Sequence, residues 1–328
     1  MNKRPDVFRV CALAIACAIL LRLASGGLGA MVAQALGHEK MASVLLYLGT
    51  GRVACPAAPQ EQTPDPTQLT APGPEDNPVE FSPEDGQQIQ VGNFAGVDVD
   101  IPTLLQMPLD WDLTEQSPTV LILHTHGSES YTGIPQEAQS SGYRSLDTAY
   151  NMVSMGDALA EYLTQAGIGV IHDRTLYDYP SYNDAYNLAR AAIQGYLAQY
   201  PSICLVIDLH RDAAEDAAGN QVAFTAQIAG QEMAQLMIVT GSGSDTLPHP
   251  NWKENLALAL KLQVQLEKQY PGLCRPLALR AQRYNQDLLP GAILVEVGTA
   301  GNTWDQAMAS IEPLARSILT LAKGTEPE

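Results

Sequence analysis

Residues 120 to 130 form the most informative segment of the chain and read Val-Leu-Ile-Leu-His-Thr-His-Gly-Ser-Glu-Ser. An aliphatic run followed at once by polar residues predicts a buried strand that ends at the first histidine. Two further runs have this form: residues 203–209 precede His210, and residues 292–298 enclose Glu296. Because functional groups in α/β proteins gather beyond the carboxyl ends of strands, we expect these side chains at one edge of a sheet.

From about residue 118 onward, strand-like and helix-like segments alternate, which predicts an α/β fold with a largely parallel sheet flanked by helices. Strand patterns occur at residues 119–123, 168–171, 203–209, 222–228, 236–240 and 292–297. Helical patterns occur at residues 151–166, 181–200 and 252–269, and a final helix is expected to begin near Thr303. We assign residues 118–328 to a single catalytic domain.

The N-terminus has the pattern of a membrane-targeting segment. Lys3 and Arg4 precede an apolar stretch from about residue 10 to residue 36, which Arg22 interrupts once. This pattern is typical of a signal anchor or of a cleaved signal peptide, and the length of the apolar stretch favours the anchor. Residues 1–54 are therefore expected to form a cytoplasmic tip, a single-pass anchor in the cell membrane and a juxtamembrane segment, with the catalytic domain extracytoplasmic.

Two connecting segments are expected between the anchor and the catalytic domain. Residues 55–86 are rich in Pro, Gln, Thr, Asp and Glu. A segment of this composition cannot bury enough apolar surface to fold, so we interpret it as a disordered stalk. Residues 87–117 contain Val91, Phe94, Val97 and Val99 and are interpreted as a short, strand-like lead-in arm.

The overall charge excludes one broad class of function. The chain has 36 acidic and 18 basic residues, which gives a formal net charge of -18. Because nucleic-acid binding requires clustered Lys and Arg to neutralise phosphates, we expect no nucleic-acid partner. The five cysteines form no Cys-x-x-Cys pair, which argues against thiol catalysis and against a disulfide framework.

The polar residues at the predicted strand ends have the chemistry of a zinc site. Catalytic zinc requires three protein ligands and an open position for water. His126 and His210 each follow a predicted strand, and adjacent parallel strands would bring both imidazoles to one rim. Glu129, three residues after His126, is the favoured third ligand, and Asp147 is the alternative because it precedes the next predicted helix.

Four other residues are candidates for the chemistry around the metal. Glu296 is the predicted general base and acid, because its aliphatic neighbours would desolvate the carboxylate and raise its pKa. His124 is predicted to stabilise the developing oxyanion or to orient one of the metal ligands through a hydrogen bond. Arg211 and Asp212 are candidates for binding the substrate, although an ion pair between them is an equally good interpretation.

Four motifs carry a resemblance to a known family. They read His124-Thr-His-Gly-Ser-Glu-Ser-Tyr131, Asp208-Leu-His-Arg-Asp212, Arg283-Tyr-Asn-Gln-Asp-Leu288 and Glu296-Val-Gly-Thr-Ala-Gly-Asn-Thr303. In this order, and over roughly residues 100 to 323, they resemble the stage II sporulation protein P family. The last motif is also similar to the C-terminal motif of the wider zinc-dependent N-acetylmuramoyl-L-alanine amidases, whose catalytic glutamate would correspond to Glu296.

The resemblance implies an amidase-like, zinc-dependent enzyme that cleaves the amide between N-acetylmuramic acid and L-alanine in the peptidoglycan stem. It makes His126, not His124, the zinc ligand, while the glutamate ligand of the wider amidases falls closer to Asp147. Members of the sporulation family are also associated with endopeptidase cleavage of stem cross-links. They act in engulfment of the forespore at the membrane, together with sporulation proteins D and M of stage II.

Two alternatives remain open on the sequence alone. One is a zinc peptidase that acts on another extracellular amide, which the masses of the products would distinguish. The other is a non-catalytic scaffold that binds peptidoglycan through a degenerate site. The presence of His126, His210 and Glu296 together argues against the scaffold, because binding alone would not require all three.

Overall fold

The computed structural model describes residues 80–109, 111–113 and 117–323. The helices in this part are α1 (Ile101–Gln106), α2 (Met152–Gln165), α3 (Ala185–Gln199), α4 (Trp252–Gln269), α5 (Trp304–Ala309) and α6 (Ile311–Lys323). The strands are β1 (Val91–Asn93), β2 (Val120–Leu123), β3 (Val170–His172), β4 (Leu205–Asp212), β5 (Thr225–Ile228), β6 (Gln231–Ala234), β7 (Leu236–Gly241), β8 (Leu277–Arg280) and β9 (Ala292–Thr299).

Seven of these strands form one sheet in the order β1-β8-β7-β9-β4-β2-β3. Strands β9, β4, β2 and β3 run parallel to one another, as do β7, β8 and β1. The two groups meet at the antiparallel pair of β7 and β9. The predicted α/β fold with a largely parallel sheet flanked by helices is therefore confirmed, and one antiparallel seam divides the sheet.

The two faces of the sheet are covered unequally. The larger core packs α2, α4 and α6 against one face, with strand residues such as Ile122, Leu209 and Val295. The smaller core packs α3 against the other face, with Leu121 and Val206. Because side chains alternate along a strand, this division assigns each residue of β2, β4 and β9 to the α2 face or to the α3 face.

Several element boundaries differ from the sequence prediction. Helix α3 begins after Asp184, not after Ser181, whose hydroxyl donates to the Asp184 carboxylate instead. Strand β4 continues through Asp212, so that His210 lies within the strand. The final helix is divided at Ser310 into α5 and α6, because Pro313 cannot extend a helix through the preceding turn.

The described end of the predicted stalk is packed on the domain. Residues 80–86 include the start of a 3-10 helix. The buried Asp85 forms an ion pair with Lys268 of α4, in which Oδ1 lies 2.8 Å from Nζ. Residues 91–93 of the predicted lead-in arm form the edge strand β1, which pairs with β8. Among the described residues, both segments therefore pack against elements that follow residue 118.

The predicted anchor, residues 10–36, lies outside the described residues, as does most of the predicted stalk. Within the part of the chain that is described, no helix combines the length and the apolar character needed to cross a bilayer.

Candidate active site

The carboxyl ends of β2, β4 and β9 bring the predicted site residues to one edge of the sheet. His210 and Glu296 are partners in the parallel register of β4 and β9. Both side chains belong to the α3 face, because Leu209 and Val295, their neighbours in sequence, pack on the opposite face. The predicted convergence of these two residues therefore follows directly from strand register.

His210 lies between two carboxylates. Its Nε2 is 2.9 Å from Oδ1 of Asp208, and its Nδ1 is 3.4 Å from Oε2 of Glu129. Burial opposes the imidazolium, but the negative charges of Asp208 and Glu129 outweigh this and raise the pKa of His210 well above its ordinary value. His210 in turn contributes to holding the pKa of both carboxyl groups below the ordinary range, against the effect of burial.

His126 faces His210 across the rim. The two rings are perpendicular and their centroids are 5.3 Å apart. Burial lowers the pKa of His126, and its buried Nδ1 has no hydrogen-bond partner among the described residues. The other side of the ring stacks on Tyr182, with centroids 4.2 Å apart and planes inclined by 11°.

The loop that carries His126 is fixed by two aspartates. The backbone N–H and the hydroxyl of Thr125 donate to Asp208 at 2.8 and 2.6 Å. The backbone N–H and the hydroxyl of Ser128 donate to Asp178, at 3.1 and 2.6 Å. The imidazole is therefore placed by a loop whose polar groups on both sides are bonded to buried carboxylates.

The two candidates for the third ligand occupy different environments. Glu129 is buried beside His210 and also accepts a hydrogen bond from the backbone N–H of Arg211 at 3.2 Å. Asp147 is exposed, and its carboxylate accepts the backbone N–H of Ala149. The structure thus brings Glu129, but not Asp147, next to the histidines.

Glu296 has the environment of a proton-transfer group. Part of its side chain reaches solvent, whereas Oε2 is buried and has no hydrogen-bond partner among the described residues. Burial, reinforced by the charge of Glu129, raises the pKa of Glu296 to about 8, although His210 acts in the opposite direction. The elevated pKa expected from the aliphatic neighbours is therefore found.

The donor types at this edge are those that zinc prefers, but only one pair of donors has a spacing that fits the ion. Two ligands at about 2.0–2.1 Å from a tetrahedral ion lie roughly 3.3 Å apart, close to the 3.4 Å between His210 Nδ1 and Glu129 Oε2. His126 Nδ1 has no hydrogen-bond partner among the described residues, and Nε2 of His210 lies 2.9 Å from Oδ1 of Asp208 without the geometry of a hydrogen bond. Within the described residues, no group of three or more His, Cys, Asp or Glu side chains is close enough to hold a metal ion as it stands. Metal binding therefore requires side-chain adjustment around the existing pair.

The predicted catalytic role of His124 must be corrected. Its side chain lies on the α2 face of the sheet and is fully buried. Its Nδ1 lies 3.2 Å from the carbonyl oxygen of Leu209, and its Nε2 lies 2.8 Å from Nε2 of His172. With both nitrogens in contact with protein groups behind the sheet, His124 has no atom available for an oxyanion.

The predicted substrate contacts of Arg211 and Asp212 must be corrected as well. Arg211 is buried, and its guanidinium donates to the carbonyl oxygens of Ser130 and Tyr143, each at 3.0 Å. Asp212 does not pair with Arg211; it forms an ion pair with Arg275 at 2.7 Å. Arg211 is thus a structural residue that holds the loop after Glu129.

Sequence reasoning missed three residues of this site. Asp208 was detectable, because it is two residues before His210 and therefore shares its face of β4. Tyr182 stacks on His126, and a tyrosine at the start of the helical pattern 181–200 carries no sequence signal of such a contact. Arg144, whose guanidinium carbon lies 4.2 Å from the centre of the Tyr182 ring, comes from a loop without any strand or helix pattern.

Comparison with solved structures finds distant likenesses among amidases. The N-acetylmuramoyl-L-alanine amidase AmiC2 of Nostoc punctiforme is 13% identical with a TM-score of 0.36, and the comparison covers 64% of this chain and 97% of that one. An N-acetylmuramoyl-L-alanine amidase from Clostridium difficile 630 is 15% identical with a TM-score of 0.34, over 64% and 95% of the two chains. These values are too low to carry an argument about activity.

Comparison of sequences is more informative. Stage II sporulation protein P of Bacillus subtilis (strain 168) is 28% identical over 206 residues, which are 59% of this chain and 48% of the relative. The match thus spans about half the length of that relative. The model of the family described as "Stage II sporulation protein P (SpoIIP)" matches residues 57–319. Because the matched residues are most of the 328-residue chain, the protein belongs to the stage II sporulation protein P family.

Proposed function

We propose that this protein is a peptidoglycan hydrolase of sporulation, and that it cleaves the amide between N-acetylmuramic acid and L-alanine of the peptide stem. One observation carries the proposal: His126, Glu129, His210 and Glu296 lie on one face at the ends of β2, β4 and β9. Family membership supports the link to sporulation. The cofactor in this proposal is Zn²⁺.

In the proposed reaction, His126, Glu129 and His210 would hold a zinc ion, which would supply Lewis-acid activation of water for the hydrolysis. The carboxylate of Asp208 lies 2.9 Å from Nε2 of His210, and its negative charge favours a positively polarised ring. Tyr182 stacks on the His126 ring and restricts its rotation.

Glu296 is the proton-transfer group in this proposal. Its unpaired Oε2 is available to accept a proton from the attacking water and to return it to the nitrogen of the leaving amine. A carboxyl group whose pKa is about 8 retains protons more readily than an ordinary glutamate, which suits the second of these steps. Removal of the carboxylate by Glu296→Gln is expected to lower kcat by roughly 10²–10⁴-fold.

The test combines metal content with product identity. We expect about one zinc per chain in the purified full-length protein and, from isolated sacculi, stem peptides released from muramic acid. His210→Ala and Glu129→Gln should lose both zinc and activity, whereas Glu296→Gln should lose activity and keep zinc. Asp147→Asn is the matched control for the rival ligand and should retain both. Zinc loss in Asp147→Asn, or full activity in a folded Glu296→Gln, would contradict the proposal.

The remaining parts of the proposal concern context. Sporulation proteins D and M of stage II are proposed partners, the cell membrane is the proposed location, and stem cross-links are proposed additional substrates. The mass of the products separates an amidase from a peptidase. Binding to sacculi without any released product would instead favour the non-catalytic scaffold.

A further inference from the structure

We infer that Arg144 binds a carboxylate of the substrate, and that the site therefore prefers an acidic peptide next to the cleaved amide. This inference rests on the proposed function and adds to it the chemical character of the leaving group. It starts from the position of Arg144, whose guanidinium lies over Tyr182, while Tyr182 stacks on His126. Only the Tyr182 ring thus separates the positive charge of Arg144 from His126, a proposed zinc ligand.

The charge of Arg144 is uncompensated, although the chain as a whole is acidic. Of the eight arginines within the described residues, six form ion pairs with carboxylates. The other two, Arg144 and Arg280, instead lie over the rings of Tyr182 and Phe94. In the described part of the chain, no side-chain hydrogen bond uses the donors of Arg144. A guanidinium that stacks on an aromatic ring still has its N–H groups free to form a bidentate hydrogen bond with a carboxylate.

The backbone of Arg144 is held in place before any ligand arrives. Residue 144 forms an antiparallel bridge with Glu129, and the N–H of Ser130 donates to the carbonyl of Tyr143 at 3.0 Å. Arg211 binds the same Tyr143 carbonyl from the inside of the domain. The proposed metal ligand and the proposed anion-binding residue are therefore linked by adjacent backbone, which fixes the distance between them.

A cavity of about 330 Å³ adjoins Arg144. Residues 131–134, 139, 140 and 142–144 line it, and this volume lies at the lower end of the range for small-ligand sites. In a substrate whose lactyl carboxyl is already consumed in the amide, the free carboxylates lie on the peptide, not on the sugar. The cavity and the cation together therefore fit an acidic peptide segment.

The test compares two soluble substrates that differ in one charge: an N-lactyl-Ala-Glu peptide with a free side carboxylate and the same peptide with Gln at that position. For Arg144→Gln in the full-length protein, we expect a 10- to 100-fold rise in KM for the acidic peptide and little change for the neutral one. Arg144→Lys should recover part of the loss. Arg280→Gln, the matched control, should change neither. An equal loss for both peptides would show a structural role only and would overturn the inference.

A second measurement separates this inference from the proposed function. Calorimetric binding of the two peptides to Glu296→Gln, with and without Arg144→Gln, needs no turnover. Preferential binding of the acidic peptide that disappears with Arg144→Gln supports the inference even when neither peptide is cleaved by the wild type. Equal binding of both peptides overturns it, whatever the activity of the enzyme.

Discussion

The substitution Gly156→Ala in α2 tests the packing behind the candidate site. In an exposed helix interior, replacing Gly by Ala stabilises a protein by about 1 kcal/mol. At position 156, however, an added Cβ would lie 2.3 Å from Nε2 of His172 and 2.5 Å from Nε2 of His124. Both rings are bonded to each other at 2.8 Å, so they cannot move apart without losing that bond. Overpacking and the lost buried hydrogen bond together cost roughly 3–5 kcal/mol, which leaves a net destabilisation of about 2–4 kcal/mol.

The assay is thermal unfolding of the purified full-length protein. For a domain of this size, about 2–4 kcal/mol lowers the Tm by roughly 4–16 °C. Gly195→Ala in α3 is the matched control, since an added Cβ there meets no atom within 4 Å. The control should raise the Tm by about 2–4 °C. A rise of similar size for Gly156→Ala would refute the reasoning, because it would mean that the two histidines do not occupy the space beside α2.

Three further predictions concern other parts of the fold. Burial lowers the pKa of Lys261 to about 8, so the folded state releases this proton at lower pH than the unfolded state. The free energy of unfolding should therefore rise between about pH 8 and pH 10.5. Denaturant titrations at several pH values measure this rise, which should be absent in Lys261→Met. Gly298→Ala should lower the free energy of unfolding by roughly 1–3 kcal/mol, because φ is 71° and a Cβ would lie 2.7 Å from that of Ala234. An unchanged free energy of unfolding would disprove the strain. Arg190 binds both oxygens of Asp287 at 2.8 Å, so Arg190→Lys should cost about 1–2 kcal/mol by the same assay, and a neutral result would count against the pairing.

The fold class and the central strands were predictable from sequence. Residues 120–123 and 292–295 are continuous aliphatic runs, and such runs predict strands that are buried on both faces. Helix α4 was also located at its observed limits, because its leucines recur every four residues. The turn between β5 and β6 was missed: Ala229 and Gly230 both have positive φ, and this type of turn carries a weak signal when Ala replaces Asn.

The site was predictable where strand periodicity governs it and not where loops do. Strand register places Glu296 beside His210, and the two-residue period would have added Asp208. The same period also places His124 with Ile122 on the opposite face, which contradicts a catalytic role that the motif alone suggested. The burial of Arg211 and the position of Arg144 depend on how residues 130–145 return to the sheet, and no local pattern encodes that path.

The antiparallel seam has a consequence for how the chain tolerates change in length. Since β7 runs opposite to β9, its first residue, Leu236, lies opposite Val297 at the edge of the sheet that carries the candidate site. This edge of the sheet therefore contains the first residues of β7 and the hairpin of β5 and β6, in addition to the carboxyl ends of the parallel strands. Insertions in residues 215–221, which are mostly exposed, would enlarge that side of the candidate site and leave the helices that connect the strands in place. Variants with a longer segment here can thus extend this side of the candidate site at little cost to folding.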